Sequence, residues 1–187
     1  ANQGSKQQRL NALKDAVAEV YASVFAPDPI EYRAERGLLD FREEMGILIQ
    51  EVVGSRVGKY FLPAFSGVAF SHNEFRWSPR IKRKDGLLRM VPGLGTRAVD
   101  RLSNDYPILV SPGNPALRVN VSPDETIRYS PRFMDVIDLE TGTFDTVDSV
   151  ALMRESGDEY PMARELISIV EDDRLQRPLG LGPDWEK

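Results

Sequence analysis

The link across residues 54–65 constrains this fold more than any other feature. It joins two apolar, strand-like segments, residues 45–53 and 67–70. A parallel crossover needs a dozen or more residues, usually including a helix. Here Gly54 to Gly58 reads as a turn and residues 59–65 lead straight into the next strand, leaving no room for that helix. Helices and strands are nevertheless interspersed along the chain. The reading is therefore α+β with an antiparallel sheet, not a doubly wound parallel one.

The helical signals are clear at the N-terminus. Leu10, Leu13, Val17, Val20, Tyr21 and Val24 form one apolar stripe, with Lys14, Asp15 and Glu19 opposite. Pro27 and Pro29 end that helix, and Pro29 can open a second one through residues 30–37, with Gly37 as its C-terminal glycine. Residues 45–53 carry Ile47, Leu48, Ile49, Val52 and Val53, too continuous for a strand with one wet face, so a strand buried on both faces is expected. Asp85-Gly86 predicts a turn, residues 87–91 a strand and residues 96–102 a short helix. Residues 108–110 read as a strand, and Ser122-Pro123-Asp124-Glu125 as a helix start. A hairpin is expected over residues 133–139 and 143–147, then helices over 149–154 and 160–170. One domain over residues 6–175 and a tail over 176–187 are expected.

Composition excludes several chemistries. The 187 residues contain no Cys and one His, His72, so thiolate zinc sites, cysteine nucleophiles and multi-histidine metal centres are ruled out. Apolar runs are short, none spans a membrane, and no leader pattern opens the chain, which reads as cytoplasmic. The chain starts at Ala1 in a polar stretch, as a cut from something longer would. The net charge is -5, yet five cations crowd residues 76–84, interleaved with Trp77. An acidic chain with one basic loop does not read as a general nucleic-acid binder, though it could hold a small polyanion.

Four features could carry chemistry. Gly93-Leu94-Gly95 could offer backbone amides to a phosphate, although a bare Gly-x-Gly is more often a turn. The basic loop could neutralise phosphates or stack a base on Trp77, or simply be a solvated surface loop. Asp138 and Glu140, two carboxylates on one strand face, could hold Mg²⁺ or merely decorate a hairpin end. His72 lacks an obvious carboxylate partner and reads as structural. No catalytic side chain is assigned.

Taken in order, several segments resemble one family. Pro29-Ile30-Glu31-Tyr32-Arg33 is similar to "A-I-x-Y-R", and Met45-Gly46-Ile47-Leu48-Ile49-Gln50-Glu51-Val52-Val53 to "M-A-V-V-V-Q-x-M-V". Ser66-Gly67-Val68-Ala69-Phe70-Ser71-His72-Asn73 resembles "S-G-V-x-F-T-R-N-P". Gly93-Leu94-Gly95, with Ala98-Val99-Asp100 and Asp105, resembles "G-L-G-E-x-V-V-S-G-x-x-T-P-D". These blocks lie within residues 16–110. Together they resemble the nucleotide-binding domain of phosphoenolpyruvate synthase and pyruvate, phosphate dikinase.

The resemblance implies an incomplete ATP-grasp-like antiparallel or mixed sheet flanked by helices. It implies ATP and Mg²⁺ as cofactors in the complete domain, with pyruvate or phosphoenolpyruvate as partners of a longer parent chain. The adenine hinge would be Gln50, Glu51, Val52 and Val53, with Gly93 and Gly95 also in the nucleotide site. The phosphorylated histidine would lie elsewhere in the parent. Departures are His72, Glu74 and Thr96 in place of the family's Arg, Pro and Glu, and Leu152 where a Gln is expected after Asp138-Leu139-Glu140. The phosphate-binding Lys/Arg subdomain has no counterpart before Pro29. A non-catalytic ATP-grasp-derived binding or regulatory module is the alternative.

Overall fold

A computed structural model describes residues 4–99, 105–171 and 174–176. The chain forms two compact units, Ala1–Val52 and Val53–Lys187, where the sequence reading has a single domain over residues 6–175. The tail expected over residues 176–187 falls almost wholly outside the described residues.

The first unit holds helices α1 (Lys6–Ser23) and α2 (Pro27–Glu35). Ser5 and Gln8 start α1 with a reciprocal capping box, each side chain accepting from the other's backbone N–H. Helix α2 begins at Pro27, two residues before the expected Pro29, because the first helical turn has no use for the missing N–H. Gly37 sits just past its end at φ +66°, where the Leu38 N–H reaches back 2.8 Å to the Arg33 carbonyl. Neither helix buries a residue, so the apolar stripe of α1 remains exposed.

Residues 45–53 are irregular, not a strand. Leu48 is 81% and Val53 79% exposed. A strand needs a neighbour for its ladder, and among the described residues no strand pairs with this run. The expectation of a strand buried on both faces is overturned.

The second unit carries antiparallel sheets. The first has the order β1 (Ser55–Val57), β2 (Tyr60–Leu62), β6 (Phe133–Asp138), β7 (Phe144–Asp148). The second comprises β3 (Phe65–Phe70), β4 (Leu87–Pro92) and β5 (Ile108–Val110), in that order. The turn expected after Gly54 is in fact strand β1, and β2 is a strand of its own, paired with β6. The remaining helices are α3 (Thr96–Val99), α4 (Pro123–Arg128), α5 (Ser149–Ser156) and α6 (Ala163–Leu166). The helix expected over 160–170 shrinks to α6, and Ile169–Glu171 (β8) pairs with Arg174–Gln176 (β9) instead.

The strand buried on both faces is β6. Met134 and Val136 enter the core with Val57, Leu62, Leu152, Met153, Tyr160 and Ala163, while Asp135 faces the other way and is also buried. An isolated parallel bridge, Gly93 to Asp135, ties the end of β4 to β6.

Candidate functional site

The glycine turn is built from the fold outward. Gly93 follows β4 at φ +72°, and a Cβ there would lie 2.7 Å from the Asp135 carbonyl oxygen. Only glycine allows the turn to approach β6 this closely. The next N–H, on Leu94, donates to that same carbonyl at 2.8 Å. A Cβ on Gly95 would meet Ser66 Cβ at 3.2 Å, so this glycine also serves close packing.

Tyr160 locks the turn from the core. Its hydroxyl donates to the Ala64 carbonyl, and its oxygen accepts from the Gly93 N–H. Burial pushes the phenol up to about 12, against an ordinary value of 10.0, with the Gly93 N–H pulling weakly the other way. A raised folded-state value means that the neutral phenol stabilises the fold below pH 10, and that this is lost as pH climbs through 12. Wild-type unfolding midpoints should therefore drop between pH 9.5 and 12 by an amount equivalent to about 2 kcal/mol more than those of Tyr160→Phe. Parallel curves for the two proteins would show that the phenol does not titrate in this way.

Beside the turn lies a buried charge cluster. Arg97 on α3, 8% exposed, places Nη2 3.4 Å from Asp105 Oδ2 and Nη1 3.7 Å from Asp135 Oδ1. Asp105 also accepts from the N–H groups of Tyr106, Arg132 and Phe133. Asp135 accepts from the hydroxyls of Thr96 and Thr146. Sequence reasoning noticed Asp105 and Thr96 as family positions but missed Arg97 and Asp135 as partners. They are far apart in the chain, and no local pattern announces such a pair.

The other expected site residues fare differently. Gln50, Glu51, Val52 and Val53 are exposed, with the first three in the first unit and Val53 opening the second. Asp138 closes β6, whereas Glu140 lies in the following turn, so the two do not share a strand face. Asp138 accepts from the Glu140 and Thr141 N–H groups and lies 3.3 Å from Lys59 Nζ. The Thr141 N–H above all, then Glu140 and Lys59, holds its carboxyl below the usual carboxylate range. This is a turn clamp, and the arrangement does not fit a Mg²⁺ ligand pair. Among the described residues no group of three or more His, Asp or Glu gathers to hold a metal ion. No described helix is long and apolar enough to cross a membrane.

His72 is exposed, its Nδ1 3.4 Å from Ser71 Oγ. The basic loop after it is laced to itself. The Glu74 carboxylate meets Arg83 Nε at 2.6 Å, the Asn73 N–H donates to the Arg83 carbonyl, and Trp77 Nε1 donates to the Leu117 carbonyl at 2.9 Å.

No curated protein and no solved structure matches the chain. A family model does, that of the pyruvate phosphate dikinase AMP/ATP-binding domain, over residues 2–158. That span takes in α1 and α2, the glycine turn, the Arg97 cluster and the β6–β7 hairpin. It also fits an α+β chain of antiparallel sheets and helices, as expected for part of an ATP-grasp-like domain. On that match the chain belongs to the family of the AMP/ATP-binding domain of pyruvate phosphate dikinase.

Proposed function

We propose that this chain is the ATP-binding portion of a longer phosphotransferase resembling phosphoenolpyruvate synthase and pyruvate, phosphate dikinase. Its two units would be parts of one nucleotide-binding domain in that parent. The family match over residues 2–158 carries this reading. The parent would move a phosphoryl group from ATP towards pyruvate through a phosphohistidine held in another domain. Phosphoryl transfer depends chiefly on positioning and charge neutralisation, so this portion's task is to hold the nucleotide. Mg²⁺ would accompany ATP in the complete domain and neutralise phosphate charge there.

The backbone of Gln50, Glu51, Val52 and Val53 would read the adenine edge, with Ile49 or Val52 against the ring. The exposure of these residues supports this role, since the Val52 and Val53 side chains are not engaged in a core. Gly93 and Gly95 would shape the phosphate side of the site. Because Tyr160 and Asp135 take the Gly93 and Leu94 amides, their contribution would be shape and not a row of donors.

A specific observation favours the second reading, a non-catalytic module. At family positions Glu74 is tied to Arg83 and Thr96 to Asp135, so both side chains are engaged within the fold. Turnover separates the two. The product of the whole open reading frame should consume ATP in the presence of pyruvate, and Val52→Trp should raise its KM for ATP by about tenfold, the loss of roughly one good ring contact. Nucleotide binding without turnover would establish the module instead. An unchanged KM would place the adenine elsewhere.

A further inference from the structure

The loop after β3 forms a cleft of about 380 Å³, lined by Glu74, Phe75, Arg76, Trp77, Pro79 and Ile81. We propose that this cleft binds a nucleoside monophosphate, its ring stacked on the exposed aromatic wall and its phosphate met by Arg76 and the neighbouring loop cations. The proposal concerns the second unit alone and does not rest on the Gln50–Val53 reading.

The cleft is preorganised. Ile81, 2% exposed, anchors the loop in the interior, and the Trp77 indole is oriented by its bond to Leu117. A turn closes the loop where the Ile81 N–H donates to the Ser78 carbonyl at 3.0 Å. Asn73, fully buried just before the loop, accepts from the Phe75 N–H and donates its backbone N–H to the Arg83 carbonyl. Phe75 itself is 72% exposed, a large flat surface that the chain's own folding leaves wet. Aromatic faces of this kind take a base of either type, because stacking needs only a π-face.

Charge selects the rest of the ligand. Residues 72–85 hold five cations against Glu74 and Asp85, a net of +3, and Arg83 already neutralises Glu74. Arg76 lines the cleft, and its guanidinium can take two phosphate oxygens together. A flat wall beside a positive rim fits a phosphorylated heterocycle better than a neutral ring or a bare anion. The volume suits one nucleotide. A polynucleotide is disfavoured because residues 122–187 carry a net of -9 that would repel a long polyanion.

The test uses the full chain with Trp185→Phe, so that Trp77 alone fluoresces, and calorimetry on the unaltered chain as a check independent of that change. AMP and CMP should each quench Trp77 saturably with a Kd of about 0.1–1 mM. Adenosine and inorganic phosphate should bind at least about tenfold more weakly, since each offers only one of the two features. Arg76→Ala and Phe75→Ala, both at exposed positions, should each weaken AMP by about tenfold, while Phe144→Ala, at an exposed position of β7, should leave it unchanged. AMP binding that survives both Arg76→Ala and Phe75→Ala at full strength would overturn the proposal and leave the hinge reading intact. The opposite pattern would support this cleft whatever becomes of the hinge. A short oligothymidylate binding far more tightly than CMP, with steep salt dependence, would overturn it in favour of single-stranded nucleic acid. So would the absence of both quenching and heat.

Discussion

Arg97→Met should destabilise the second unit by about 3–5 kcal/mol, among the largest effects of any single substitution in it. The substitution keeps an unbranched apolar stem but removes the guanidinium, and with it the charge and the cation–π contact with the Phe133 ring, 5.4 Å away. Asp105 and Asp135, 8% and 4% exposed, then lose the cation between them. Their remaining donors soften the loss, because backbone N–H groups still reach Asp105 and two threonine hydroxyls still reach Asp135. Denaturant titration followed by circular dichroism would read the change, and the thermal midpoint should fall by about 10 °C or more. Adding Asp135→Asn should restore part of the loss, since it removes one uncompensated charge. A loss below about 1 kcal/mol would mean that water reaches this cluster and that it is not the electrostatic pin of the glycine turn.

Gly93→Ala should cost about 2–4 kcal/mol, from a left-handed backbone and a methyl group forced against β6. The added Cβ would meet the Asp135 carbonyl oxygen at 2.7 Å and Met134 Cβ at 3.2 Å, and neither strand atom can swing aside as a side-chain end could. The turn would have to retreat, weakening the Leu94 to Asp135 bond and the Gly93 to Tyr160 bond. Amide exchange at Leu94 should accelerate accordingly. Gly95→Ala is the control. Its φ is not positive and its nearest neighbour is Ser66 Cβ at 3.2 Å, so its cost should be well under half that of Gly93→Ala. Equal costs would show that the close approach to β6 is not what requires glycine at 93.

Much of the local structure was legible because its causes are local. The stripe from Leu10 to Val24, the start at Ser122-Pro123 and the hairpin around Gly142 rest on periodicity, capping and turn chemistry within a few residues. Order along the chain also carried the family, since four short blocks in sequence are read without any contact between them. The misreadings have one cause. Residues 45–53 have the apolar content of a buried strand, but content does not supply a pairing partner, and the described strands offer none. By sequence, residues 160–170 suit one helix, because Leu166, Ile167 and Val170 fit either period. Pairing with residues 174–176 decided in favour of a strand at Ile169–Glu171.

Sequence alone determined what this protein lacks and which alphabet it builds with: no thiol chemistry, no histidine cluster, short antiparallel links, and one cationic loop in an acidic chain. Tertiary structure decided which side chains meet. Asp135 became the hub of the glycine turn, Asp138 a turn clamp, and Tyr160 the lock on Gly93. The reason is that burial and pairing are set by neighbours distant in the chain, and a carboxylate or phenol acquires its role only from the donors the fold brings to it.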